Sequence, residues 1–142
     1  MHPRHHWNQQ DYIEFMIHEM THTLLFLDER RYQHYRDYRL LSQKENFAVS
    51  AVLRKPRPLD KTIHSLMVAV EVLLYRHRIG SHVDAPGLHP NSNLMLESCK
   101  ETIRSLERTP QLSLLVTDRV IELIQSSKEH LSHIEIPKHA VV

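Results

Sequence analysis

His18-Glu19-Met20-Thr21-His22 is an HExxH sequence, and the residue types and their spacing suit metal chemistry. Positions four apart on an α-helix lie about 40° apart around its axis, so both imidazoles can face one divalent ion with Glu19 beside them. A further histidine, His64, falls in a downstream segment that reads as buried helix. The competing reading is a pair of core histidines hydrogen-bonded to carboxylates, since thirteen histidines make some i,i+4 pair unsurprising.

The context of the motif bears on that choice. With His18 at zero degrees, Asp11, Glu14, His22, Leu25 and Glu29 fall within about 40° of it at 100° per residue. Ile17, Thr21 and Leu24 flank this stripe on one side and Phe15 and Phe26 on the other, while Ile13, Met20 and Leu27 cover the back. A helix apolar nearly all round is expected to be buried. Buried imidazoles need partners, because an unpaired polar group costs roughly 1–3 kcal/mol. A metal would satisfy both rings at once, with Glu14 or Asp11 as acceptors for their other nitrogens.

The elements that must position these residues are helical, and an all-α single domain of four to six helices is predicted. Residues 1–10 read as a flexible leader, 11–133 as the helical domain and 134–142 as a short extended tail. The first helix is expected from about Asn8 or Asp11 to Leu27, continuing or restarting through Arg30–Leu41. There arginines and tyrosines alternate, and the reading adopted is a solvated helix with inward tyrosines rather than a nucleic-acid stripe. Pro56 and Pro58 fix a loop over Ala48–Arg57. A second long helix runs from Leu59 or Asp60 to Gly80 and carries His64. A loop holding His82 and His89 leads to an Asn91 or Ser92 cap and a third helix, from Asn93 to about Arg108. Thr109-Pro110 is expected to open a last helical region to about His133, breaking near Thr117-Asp118. His82 and His89 read as surface residues, with a lid over the site as the alternative; His130, His133 and His139 read as solvated.

The chain has 142 residues and a formal net charge of +1 with its signs interspersed, so neither nucleic acid nor a membrane surface is expected as a partner. No apolar run reaches the roughly 18 residues of a membrane span. The single Cys99 excludes an internal disulfide framework and fits a reducing cytoplasm.

The coupling of His18–His22 with the segment Ser50-Ala51-Val52-Leu53-Arg54-Lys55-Pro56-Arg57-Pro58-Leu59, and with His64 in the helix that follows, resembles the HExxH-type peptide-modification proteins. In those, an HExxH helix precedes a segment of the type S-x-L-R-x-x-P-R-P-L and then a helical histidine. The resemblance covers roughly Ile13 to Arg76; Ala51 stands where the family often has proline. It implies an iron(II), 2-oxoglutarate-dependent β-hydroxylase of ribosomal peptides, with His18, His22 and His64 on the metal and Arg57 near it.

Chemistry supports this reading from its own side. Three neutral imidazoles on a six-coordinate ion leave room for a bidentate 2-oxo acid and dioxygen, although the usual set is two histidines and a carboxylate, which Glu71 or Glu19 can supply instead. The distal carboxylate of such a cosubstrate suits a forked cation, and Arg57 or Arg54 offers bidentate geometry that Lys61 does not. Arg57 is the preferred candidate; its alternative is an ordinary pairing with Glu14 or Glu29.

Two other classes stay open. In a zinc peptidase, His18, His22 and a third ligand would hold zinc while Glu19 takes a proton from the bound water. Such enzymes need an edge strand to align an extended peptide, and no strand pattern precedes the motif. A non-catalytic helical module is the third class, and the apolar helices can pair in a homodimer or be completed by a partner subunit. The substrate expected for an enzyme is a peptide or a small molecule.

Overall fold

The helix that begins after Pro58 forms the centre of the molecule. In the computed structural model, which describes residues 6–82 and 87–136, five α-helices carry the fold and a two-residue ribbon is its only sheet among those residues. They are α1 (Gln9–Arg31), α2 (Leu59–Ile79), α3 (Ser92–Glu107), α4 (Leu112–Leu115) and α5 (Asp118–Ser132), with β1 (Ala48–Val49) antiparallel to β2 (Pro56–Arg57). The predicted all-α class is therefore the observed one.

Helix α2 is flanked by α1, α3 and α5. Leu59, Ile63, Leu66, Val68, Ala69, Val70, Val72 and Leu73 are all buried, so it is apolar on nearly every face, as a central helix must be. Each large aliphatic side chain there contributes roughly 1.5–3 kcal/mol on burial. The helix stops at Gly80, whose φ of 67° is left-handed and whose N–H returns to the carbonyls of Arg76 and His77.

Helix α1 corrects an expectation. It is not buried all round: only Glu14, Thr21 and Leu25 are fully buried, while Met16, Met20, Leu24 and Leu27 form an exposed apolar stripe, Met16 at 62 %. The polar stripe faces inward instead, because its histidines and Glu14 find partners on α2 and on the segment before α3. The helix starts at Gln9, inside the segment read as leader, because Asn8 and Asp11 form a reciprocal capping box and Trp7 packs on Tyr12 and Phe15.

Beyond Arg31 the chain does not restart as an α-helix. Tyr35 is fully buried and pairs with Val116 as an isolated bridge, Tyr38 is exposed, and two 3-10 turns, Tyr38–Ser42 and Lys44–Asn46, lead to the ribbon. Pro110 likewise does not open a helix. Gln111 takes a left-handed φ of 55°, the four-residue α4 follows, and α5 begins after Thr117, whose hydroxyl donates to the Gln33 carbonyl at 2.6 Å. Ile134 is buried in the core, and residues 137–142, with His139, lie outside the described residues.

Candidate functional site

Four imidazoles stand in a row where α1 meets α2. Along α1, Glu14, His18, Thr21 and Leu25 share the face turned to α2, and His22 sits at its edge. His22 Nδ1 is 2.7 Å from His64 Nδ1 on α2, and His22 Nε2 is 3.2 Å from His18 Nε2. His18 Nδ1 then lies 3.1 Å from His89 Nε2. The rings of His22 and His64, and of His18 and His89, are nearly parallel, at 18° and 14°.

The row ends on a buried ion pair. His89 Nδ1 is 3.1 Å from Glu14 Oε1, and Arg76 grips both oxygens of Glu14, each at 2.8 Å. Arg76 also donates to the Pro90 carbonyl and to Ser92 Oγ. Glu14 and Arg76 are each about 1 % exposed. Burial alone would raise the Glu14 pKa, but hydrogen bonds from His89, Arg76 and Gln10 and the charge of Arg76 overcome it and hold the carboxyl at about 2. Glu14 thus serves the site through His89; neither it nor Asp11, which accepts the Leu88 N–H at 3.0 Å, bonds His18 or His22 directly.

His89 corrects the sequence reading. It is 4 % exposed and belongs to the row rather than to the surface. Its place depends on a close approach of the chain to α1: a Cβ on Gly87 would lie 2.5 Å from Asp11 Oδ1. His82 is half-buried and bonds Ser92 Oγ, while His130 and His133 are exposed. The cue available in the sequence was Gly87 and Pro90 bracketing His89, a segment made to run close to another surface.

The histidines of the motif and His64 open on one cleft of about 460 Å³, whose other walls include Phe26, Glu29, Tyr38, Val52, Leu53, Arg57, Asp60, Lys61 and Val68. Arg57 therefore shares a cleft with His18, His22 and His64, and no carboxylate pairs with it among the described residues, so neither Glu14 nor Glu29 takes it up. Its neighbourhood is built locally. The Thr62 hydroxyl reaches the carbonyls of Ala48 and Arg57, opposite each other in the ribbon, at 3.0 and 3.3 Å. Ser65 Oγ is bonded by Ser50 Oγ and by the Val52 N–H. These bonds tie the ribbon and its loop to the turn of α2 that carries His64.

Other candidates are not brought to this cleft. Arg54 is exposed with a left-handed φ of 55°, and it does not line the cleft. Glu71 is exposed and borders a separate groove with Met20, Leu24 and Leu123. Glu19 is exposed and outside the cleft lining.

The site holds neutral nitrogen donors. Burial, followed by the neighbouring His89 and His22, lowers the pKa of His18 to about 4; burial, then His22, does the same for His64. Burial also lowers that of His22. At metal–nitrogen distances of about 2.0–2.1 Å, two imidazoles on one ion sit roughly 2.9–3.4 Å apart, which the Nε2 atoms of His18 and His22 match at 3.2 Å. Yet His64 meets His22 through the opposite ring nitrogen, and among the described residues no group of three or more His, Cys, Asp or Glu is arranged to hold a metal as it stands. One of each bonded pair of nitrogens carries a proton, so taking up an ion would exchange N–H···N bonds for metal bonds. The donors fit a divalent metal in kind, and the Nε2 atoms of His18 and His22 fit one in separation; His64 would have to turn toward that pair to join them.

No helix among the described residues is long and apolar enough to cross a membrane. Compared with protein-family models, with curated proteins and with solved structures, the chain finds no match.

Proposed function

We propose that the cleft is the site of an iron(II), 2-oxoglutarate-dependent oxygenase acting on a peptide. One observation carries the reading: His18, His22, His64 and Arg57, drawn from three separate segments, line the same cleft. When bound, iron(II) would allow dioxygen to oxidise two partners at once: 2-oxoglutarate, decarboxylated to succinate with one oxygen atom, and a substrate C–H bond, which takes the other as a hydroxyl. The chain's own part is to hold and to orient. His18, His22 and His64, kept neutral by burial, offer lone pairs to the metal. Arg57 receives the distal carboxylate of the 2-oxo acid as a fork, with Lys61 as a second cation on the same wall. Phe26, Val52, Leu53 and Val68 give the cleft apolar walls on which an apolar part of a substrate can rest.

Hydrolysis by zinc is the weaker reading. Glu19, which it requires as the base, is exposed and outside the cleft lining, and among the described residues no strand precedes α1 to align a peptide. The test is anaerobic addition of iron(II) and then 2-oxoglutarate to protein purified without an affinity column. A weak visible charge-transfer band is expected, which in Arg57→Ala forms only at much higher 2-oxoglutarate concentration. Absence of the band, together with proteolysis abolished by Glu19→Gln, would replace the oxygenase with the peptidase.

A further inference from the structure

The row of imidazoles has a direction, and the buried ion pair sets it. Ionised Glu14 can only accept, so the 3.1 Å contact from His89 Nδ1 requires the proton to be on that nitrogen. Arg76 already matches the charge of Glu14, so a neutral His89 leaves no uncompensated charge in this buried place. Its Nε2 is then a lone pair, and the 3.1 Å contact to His18 must be donated by His18 Nδ1–H. One neutral ring carries one ring proton, which leaves His18 Nε2 bare on the side facing His22.

We propose that Arg76, Glu14 and His89 are positioning residues that lock His18 as its Nδ1–H tautomer, so that Nε2 is presented to the ion. The inference deepens the function proposed above and, where metal is concerned, rests on it. Carboxylate–histidine pairs that orient a ligating ring are a general device, and here the device is one imidazole longer: the carboxylate acts on His89, and His89 acts on His18. The same reasoning continues along the row: in the resting protein His18 Nε2 accepts from His22 Nε2–H, and His22 Nδ1 accepts from His64 Nδ1–H. The lock therefore prepares His18 alone, and His22 has to give up its Nε2 proton before it can join the same ion.

The experiment is long-range proton–nitrogen correlation of the histidine rings in metal-free protein at pH 7.5, followed by cobalt(II) titration. In the unsubstituted protein His18 is expected as the Nδ1–H form; an Nε2–H form would overturn the proposal without any variant and without any metal. His89→Phe keeps the Glu14–Arg76 pair but removes the acceptor, and should shift His18 toward Nε2–H and weaken cobalt(II) binding about 10–100-fold. His89→Gln returns a carbonyl acceptor and should restore both signals. Unchanged tautomer and unchanged affinity in His89→Phe would overturn the proposal. Failure of the unsubstituted protein to bind cobalt(II) would count against the proposed oxygenase, and the tautomer of His18 would still decide this inference.

Discussion

His22 and His64, forty-two residues apart in the chain, bring their Nδ1 atoms to 2.7 Å of each other across the seam between α1 and α2. The HExxH helix is thereby joined to the helix that forms the core. A polar contact at the edge of an apolar interface persists only if each group answers the other, and here each ring is the other's hydrogen-bond partner.

Replacing His64 with alanine should separate these roles. Loss of the ring removes the proposed third ligand and leaves His22 Nδ1 without its partner, so on the proposed function iron or cobalt retained after dialysis should fall from about one per chain to none. Metal analysis beside an unfolding curve checks this, with roughly 1–3 kcal/mol of stability expected to go as well. Retention of a full equivalent would remove His64 from the site.

Stability should fall as the solution is acidified, and in two stages. His18 and His64 titrate near 4 when folded and near 6.5 when unfolded, so between those values the unfolded chain binds more protons and unfolding is favoured as pH drops. Each such histidine costs up to about 1.4 kcal/mol per pH unit across that window. Glu14, held at about 2, contributes fully above 4.5 and loses its contribution only as pH falls toward 2. Urea midpoints measured in chelator at pH 7.5, 5.5 and 4.5 should decline in order; a flat profile would contradict the burial of these rings.

Arg57 and Arg54 should part company in kinetics. A forked bond to a carboxylate is worth about 1.5–3 kcal/mol, so Arg57→Ala should raise the KM for 2-oxoglutarate about 10–100-fold, and Arg57→Lys should recover only part of it. Arg54→Ala, at an exposed position outside the cleft, should leave KM unchanged. Equal effects of the two would mean that no specific cation faces the cosubstrate.

Gly87→Ala should disturb the site from outside. The added methyl would meet Asp11 Oδ1 at 2.5 Å, and Asp11 is already committed to the Asn8 cap and the Leu88 N–H. A cost of about 1–3 kcal/mol is expected from crowding of this kind. Weaker metal retention should accompany it as His89 moves, readable in the same titrations.

How much of this was legible in the sequence follows from where each signal lies. Helix boundaries marked by local chemistry, such as Asn91 as a cap and Gly80 as a stop, were readable because capping needs only neighbours. The grouping of His18, His22 and His64 was readable because helical spacing and a coupled downstream motif pointed to it. The inward and outward faces of α1 were not: by hydrophobicity Met16 and Met20 should be buried before Glu14, and the order is reversed because Arg76 and His89, distant in sequence, supply Glu14 with partners. His89 was missed for the same reason. Its burial depends on Asp11 capturing the Leu88 N–H across seventy-seven positions, which no local pattern encodes.

The hydroxyl of Ser65 gives the cleft a mechanical asymmetry. By fastening Ser50 and Val52 to α2, it makes Arg57 and His64 parts of one jaw, while His18 and His22 ride on the other. The gap between cation and third imidazole is therefore preset by the chain, whereas its distance from the HExxH pair depends on how α1 rests on α2. A guest bridging both jaws would clamp the two helices, so occupancy should be felt as stiffness along the whole α1–α2 seam.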